Sequence, residues 1–216
     1  MATTISSGRS NSPLLTADVA SRAEVYGGRG LVFDGVSDYL DCGTGLGDEL
    51  GNDYAGDLTV SAWIKCTSTN VDDGFFNITN FSNSYGLFAF HVYSNKLYIT
   101  LNTNGWRAYT AFTSTDWSHV TAVYKSGSES DTKIYVNGES QSLTSSGSFP
   151  SASNMDLSGL KTIIGAYYST TYTFDGSISD VKVFNTALTE SQVQELYLKP
   201  EQSAPSAVQD NLVAWY

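Results

Sequence analysis

The sequence predicts an all-β fold: an antiparallel sandwich carrying one short C-terminal helix. Three observations predict it. Short apolar segments recur between Leu31 and Phe184, separated by turn pairs such as Asp34-Gly35, Ser94-Asn95 and Asn137-Gly138. Tyr (14) and Phe (10) are plentiful while Lys and Arg together number 11, which suits sheets better than helices. A single late segment, Thr189 to Tyr197, has both helical periodicity and a start signal.

The elements follow in order. Residues 1–25 are rich in Ser, Thr and Ala with little periodicity and read as an N-terminal arm. Leu31 to Leu40 gives two short strands around the Asp34-Gly35 turn, with Asp38 and Asp41 close behind. Gly43 to Asp57 holds five glycines and four acids and reads as a loop. Leu58 to Cys66 is the clearest strand. Leu58, Val60, Ala62, Ile64 and Cys66 share one parity, and Trp63 on the other parity predicts that both faces are covered. Tyr85–Tyr93 and Lys96–Leu101 form a hairpin through Ser94-Asn95. Arg107–Thr113, Trp117–Tyr124, Lys133–Val136 and Lys161–Gly165 continue the series.

The stretch Phe174–Phe184 breaks the period of two. Val181 and Val183 share a parity that Ile178 does not, so one extra residue near Ser179–Asp180, a β-bulge, is needed to bring all three to one face. Thr189 then caps the helix and Gln192 completes a capping box. Residues 199–216 read as a linker followed by the first strand of a further domain, Asn211-Leu-Val-Ala-Trp-Tyr216.

The net charge of −11 repels phosphate backbones and anionic lipid, so neither nucleic acid nor membrane insertion is expected. No run approaches the ~18 apolar residues of a membrane span, and the N-terminus has no secretory-signal pattern. Cys42 and Cys66 are too few for a disulfide framework and are expected as free thiols.

Five segments in order carry a family resemblance. They are Leu31-Val-Phe-Asp-Gly-Val-Ser-Asp-Tyr-Leu40, Leu58-Thr-Val-Ser-Ala-Trp-Ile-Lys65, Trp117-Ser-His-Val-Thr-Ala-Val-Tyr124, Ile134-Tyr-Val-Asn-Gly138, and Gly165 through Glu190. The chain resembles a laminin G-like domain of the concanavalin A-like lectin/glucanase superfamily over residues 26–198. The resemblance implies a jelly-roll sandwich of two curved antiparallel sheets. Such domains occur in extracellular, bacterial-surface and phage virion proteins. With a native start and an arm, analogy to that family points to a phage structural or fibre protein located on a virion or extracellular surface.

Catalysis is not expected. Retaining glycosidases need two carboxyls ~5 Å apart, and none of the seven glutamates sits at a paired spacing with an Asp on an apolar strand. His91 and His119 each lie inside a strand, and no nucleophile elbow, metal-spaced His/Cys set or phosphate loop is present. Two readings stand for Asp34, Asp38 and Asp180: they hold a structural Ca2+ as cofactor, since calcium takes ~6–8 oxygens and the resemblance implies that these two segments meet at one rim, or they cap turns, as Asp does in Asp-Gly pairs. A sugar platform is expected from Trp106 and from Tyr167, Tyr168 and Tyr172, since pyranose faces stack on rings. The expected function is a carbohydrate- or surface-binding module with a glycan or host-surface receptor as partner. The alternative is a structural assembly protein that meets other subunits through residues 1–25 and its aromatic loops.

Overall fold

The structure, a computed structural model, describes residues 30–51, 54–79, 88–101, 105–150, 155–167, 172–200, 202 and 204–216. Fourteen strands, two α-helices and one 3-10 helix (Ser206–Asn211) are described. In chain order they are β1 (Leu31–Asp34), β2 (Leu40–Asp41), α1 (Gly45–Leu50), β3 (Leu58–Cys66), β4 (Asp72–Thr79), β5 (Phe88–Tyr93), β6 (Lys96–Leu101) and β7 (Trp106–Ala111). There follow β8 (Ser118–Tyr124), β9 (Lys133–Val136), β10 (Glu139–Ser140), β11 (Thr144–Ser146), β12 (Lys161–Ile164), β13 (Asp175–Phe184), α2 (Glu190–Leu198) and β14 (Leu212–Trp215).

They make two seven-stranded antiparallel sheets. The first runs β1-β13-β3-β8-β9-β10, with β14 also on β13; the second runs β11-β7-β6-β5-β4-β12-β2. The core between them is built from the alternation seen in the sequence. Leu58, Val60, Ala62, Ile64 and Cys66 of β3 face Phe76, Phe88, Phe90, Val92, Leu97 and Ile99 of the second sheet. On the outer side of the first sheet a smaller apolar cluster forms under α2, joining Val123, Tyr135 and Phe184 to Leu188, Val193 and Leu196. That helix is why β3 is covered on both faces and Trp63 is only 1% exposed. Thr189 accepts from Gln192 N while the Gln192 side chain accepts from Thr189 N, closing the expected capping box.

The bulge lies where the parity argument placed it. Ser179 pairs with Trp63 and Lys182 with Ser61, so one residue more is spent on β13 than on β3. Asp180 takes a left-handed φ of 55°. Ile178, Val181 and Val183 all reach the core as a result.

Four findings differ from the sequence reading. The Asp34-Gly35 turn does not close a hairpin: β1 pairs with β13 and β2 with β12, so the chain crosses there between sheets. The expected loop 43–57 contains α1, because Leu46 and Leu50 are a turn apart and both buried. Its glycines hid it, and Gly47 is required where a Cβ would stand 2.3 Å from Leu157 O. Strand β4, with Asp72-Asp73-Gly74 at its start, has no counterpart among the expected strands. Finally, residues 212–215 complete the first sheet on β13 instead of opening a separate one. The expected arm, residues 1–25, lies outside the described residues. Both cysteines are free.

Candidate functional site

The expected cation triad is not brought together. Asp34 pairs with Asp175 in the β1–β13 register, whereas Asp180 lies five residues further along β13, roughly 15 Å away at the usual strand rise. Two of the three carboxylates, Asp34 and Asp180, already have local work. Asp34 Oδ1 accepts from the backbone N–H groups of Val36, Ser37 and Asp38 at 2.9, 2.9 and 3.1 Å. Backbone hydrogen bonds, Ser37 first, then Val36 and Asp38, hold its carboxyl below the usual carboxylate value. Asp180 accepts from Lys182 Nζ at 2.5 Å and from Trp215 Nε1 at 2.7 Å. Among the described residues no group of three His, Cys, Asp or Glu side chains is placed to hold a metal ion.

The expected aromatic platform is divided as well. Trp106 and Tyr167 lie on opposite faces of the second sheet. Trp106 points into the core, only 1% exposed, with its ring edge-on to Phe149 at 4.9 Å. It therefore offers no open face for stacking. Tyr167 stacks on His91 at 4.1 Å and His91 on Tyr98 at 5.1 Å, while Tyr98 meets Tyr109 at 4.9 Å with the rings tilted by 40°, forming a row across β5, β6 and β7. Tyr167 is 6% exposed and gives its faces to neighbours, not to solvent. Tyr172 is half-buried and its carbonyl accepts from Tyr167 N at 2.8 Å. Tyr168 lies outside the described residues.

Trp106 does reach a concave surface. A groove of about 430 Å3 opens along the margin of the sandwich, where edge strand β10 of one sheet and edge strand β11 of the other are joined by Gln141–Leu143. Trp106 and Ala108 of β7 form its floor, Glu129, Ser130 and Thr132 one wall, and Ser140, Gln141, Ser142 and Ser145 the other, with Lys133 at β9. The wall loop is pinned. Ser128 Oγ donates to Asp131 at 2.6 Å, Thr132 Oγ1 donates to Ser128 O at 3.1 Å, and Thr132 N to Glu129 O at 3.2 Å. Gln141 N donates to Ile134 O at 2.9 Å, fixing the opposite wall.

Glu129 organises the floor. Trp106 Nε1 donates to its Oε1 at 3.0 Å. Hydrogen bonds from the Ser145 side chain and then from Trp106 hold its carboxyl below the usual carboxylate value, so it is ionised at neutral pH. The groove thus offers a fixed carboxylate, an amide and several hydroxyls, with the Trp106 ring buried beneath them. Residue types of this kind exchange hydrogen bonds with hydroxyl-rich ligands. Sequence reasoning found Trp106 but not Glu129, Gln141 or Ser145. The available signal was a pair of polar runs, 126–131 and 140–148, flanking the β9–β10 hairpin.

Neither histidine serves this groove. Ser61 Oγ and His119 Nε2 are 2.8 Å apart, but both residues are buried beneath α2. Burial, with Lys182 nearby, pushes the His119 imidazole down to about 3.

A family model described as the concanavalin A-like lectin/glucanases superfamily (Laminin_G_3) matches residues 34–194. No curated protein sequence matches the chain. Among solved structures, the chain is similar to the CBM40 of the Ruminococcus gnavus IT-sialidase bound to α2,3-sialyllactose, with TM-score 0.59, 16% identity, and coverage of 78% of this chain and 96% of that one. It is also similar to domain 4 of AbnA, an extracellular GH43 arabinanase from Geobacillus stearothermophilus, in complex with arabinotriose (TM-score 0.52, 17% identity, 78% and 76% covered). A third is a protein from Bacteroides ovatus described as a carbohydrate-binding protein (TM-score 0.50, 19% identity, 74% and 45% covered). At these identities the likeness establishes the fold. Among the described residues, no helix is long and apolar enough to cross a membrane.

Proposed function

The chain belongs to the concanavalin A-like lectin/glucanase superfamily, and from that premise we propose that it is a non-catalytic carbohydrate-binding module whose ligand lies in the groove beside Glu129. The observation that carries this reading is the groove itself: a carboxylate fixed by the Trp106 indole, with Gln141 and serine hydroxyls around it. The fold neighbours that hold sialyllactose and arabinotriose support the class of ligand. A binding role is favoured over hydrolysis because Glu129 is the one carboxylate among the described lining residues, while glycosidases work with two. An adhesive module on a virion or cell surface, the setting expected from the sequence, suits such a site. A panel of immobilised oligosaccharides tests the reading. A hydrogen bond to a charged group contributes about 1.5–3 kcal/mol, so Glu129→Ala is expected to weaken the bound glycan at least tenfold. Undiminished binding in that variant would move the site elsewhere.

A second reading, an assembly protein making protein contacts, is favoured by one surface. Leu31, Val32 and Val36, at and beyond the β1 edge, and Trp215 of β14 are between 50% and 75% exposed. An apolar, exposed sheet edge is an association liability unless a partner covers it. Sedimentation of the wild type against Val32→Asp tests it, and a monomer at all concentrations in both removes self-association from this reading.

A further inference from the structure

On the reading of the groove as a saccharide site, we infer that it takes an uncharged glycan, held through neighbouring hydroxyls by Glu129, and that it rejects sialylated and uronic-acid glycans. An ionised carboxylate offers about four lone-pair sites and no donor. Trp106 Nε1 at 3.0 Å and the Ser145 side chain occupy two of them. The remaining two can only accept, so the complementary ligand group is a donor. Two adjacent sugar hydroxyls supply two donors at the spacing of one carboxylate. The opposite wall continues the pattern. Gln141 Nε2 donates to Glu139 O at 2.9 Å, which leaves its second N–H and its carbonyl for further hydroxyls.

Charge decides against an anionic sugar. A ligand carboxylate is best recognised by the planar fork of arginine, and no arginine is among the described lining residues. Arg107 follows Trp106 on β7 and therefore sits on the other face of the sheet, where its Nε donates to Ser146 Oγ at 3.2 Å. Lys133 is the single cation among the described lining residues, and Glu129 offsets it. An anionic glycan would meet Glu129 at contact distance and the field of a chain with net charge −11 beyond it.

The test is an array of neutral gluco-, galacto-, manno-, xylo- and arabino-oligosaccharides, each beside a sialylated or uronate counterpart on the same core. It is probed with wild type, Glu129→Gln and Glu129→Ala. The exposed position of Glu129 lets all three fold, and coincident melting curves verify it. Wild type is expected to bind a neutral member at least tenfold more tightly than its anionic counterpart. Glu129→Gln is expected to lose at least tenfold on the neutral member and to narrow the neutral-to-anionic ratio. Preference of the wild type for an anionic glycan, or an unchanged ratio in Glu129→Gln, overturns the inference. In that case loss of binding in Glu129→Ala still upholds the carbohydrate-binding reading. Absence of binding to either class of glycan overturns both.

Discussion

Asp180 is the residue at which the first sheet changes partners. On one side of it β13 is paired with β1 through Ile178, and on the other with β14 from Lys182 onward. Its left-handed backbone, φ 55°, makes the bulge, and its side chain then bonds Lys182 Nζ and Trp215 Nε1. Lys182 also donates to Pro200 O at 3.0 Å and lies 5.0 Å from the Trp215 ring centre. The side chains of this ion pair are 1% and 7% exposed. Removing one partner of a buried pair strands the other charge, at a cost of about 3–5 kcal/mol, whereas replacing both with apolar groups is often near neutral. Asp180→Ala is therefore expected to lower the urea midpoint strongly, and adding Lys182→Met to restore most of it. Additive losses in the double variant would show that the two residues do not act as a unit.

At the scale of elements, what was legible and what was not have separate physical causes. Strands β3, β5, β6, β8, β9 and β13 were legible because period-two alternation records which face is buried, and even the bulge was visible as a parity break at Ile178. Turns at Ser94-Asn95 and Asn137-Gly138 were legible because both residues of each pair adopt positive φ, as two-residue hairpins demand. Helix α1 was not, since its two glycines mimic a loop although one of them, Gly47, serves close approach to Leu157 and Leu160. Nor was β4 recognised; Gly74 interrupts it because a Cβ there would stand 2.3 Å from Tyr167 N. The site was half legible. Trp106 was found for stacking, yet its use is to hold Glu129. Glu129 itself sits in a serine-rich loop whose sequence does not reveal what faces it. For α2, the capping box predicts that Thr189→Ala costs about 1 kcal/mol, read from chemical unfolding. Deleting 212–216 uncovers the β13 edge at Val181–Phe184 and is expected to cost more than Thr189→Ala, since β14 belongs to the sheet. An unchanged melting temperature would show that it does not.

Over the whole molecule, buried titratable groups set opposing pH responses. Burial, followed by the nearby positive charges of Arg107 and Lys182 respectively, pushes His91 and His119 from 6.5 to about 3. The native state holds them neutral, so their contribution is complete above pH 6.5 and is lost as pH falls toward 3. Asp73 acts in the other sense. Burial first, then Asp175 and Asp72, raises its carboxyl from 3.8 to about 6, against a hydrogen bond from Asp175 N that lowers it. Its contribution is present below 3.8 and is lost as pH rises through about 6. Asp73→Asn is therefore expected to raise the melting temperature at pH 8 and to give no gain at pH 3.5, as thermal scans across that range would record.

On the proposed reading the margin groove, not the tyrosine row or the β1 edge, receives the glycan. Trp106 carries the most direct probe of it, because its indole N–H is hydrogen-bonded to Glu129 and buried from bulk water. Titrating a neutral oligosaccharide that the array shows to bind into 15N-labelled protein, and following the indole and backbone resonances, tests the claim. Saturable shifts are expected at the Trp106 indole, Gln141, Ser142 and Ser145. Shifts centred on Tyr98, Tyr109 and Tyr167, or on Leu31 and Val32, with the Trp106 indole unmoved, would contradict the reading.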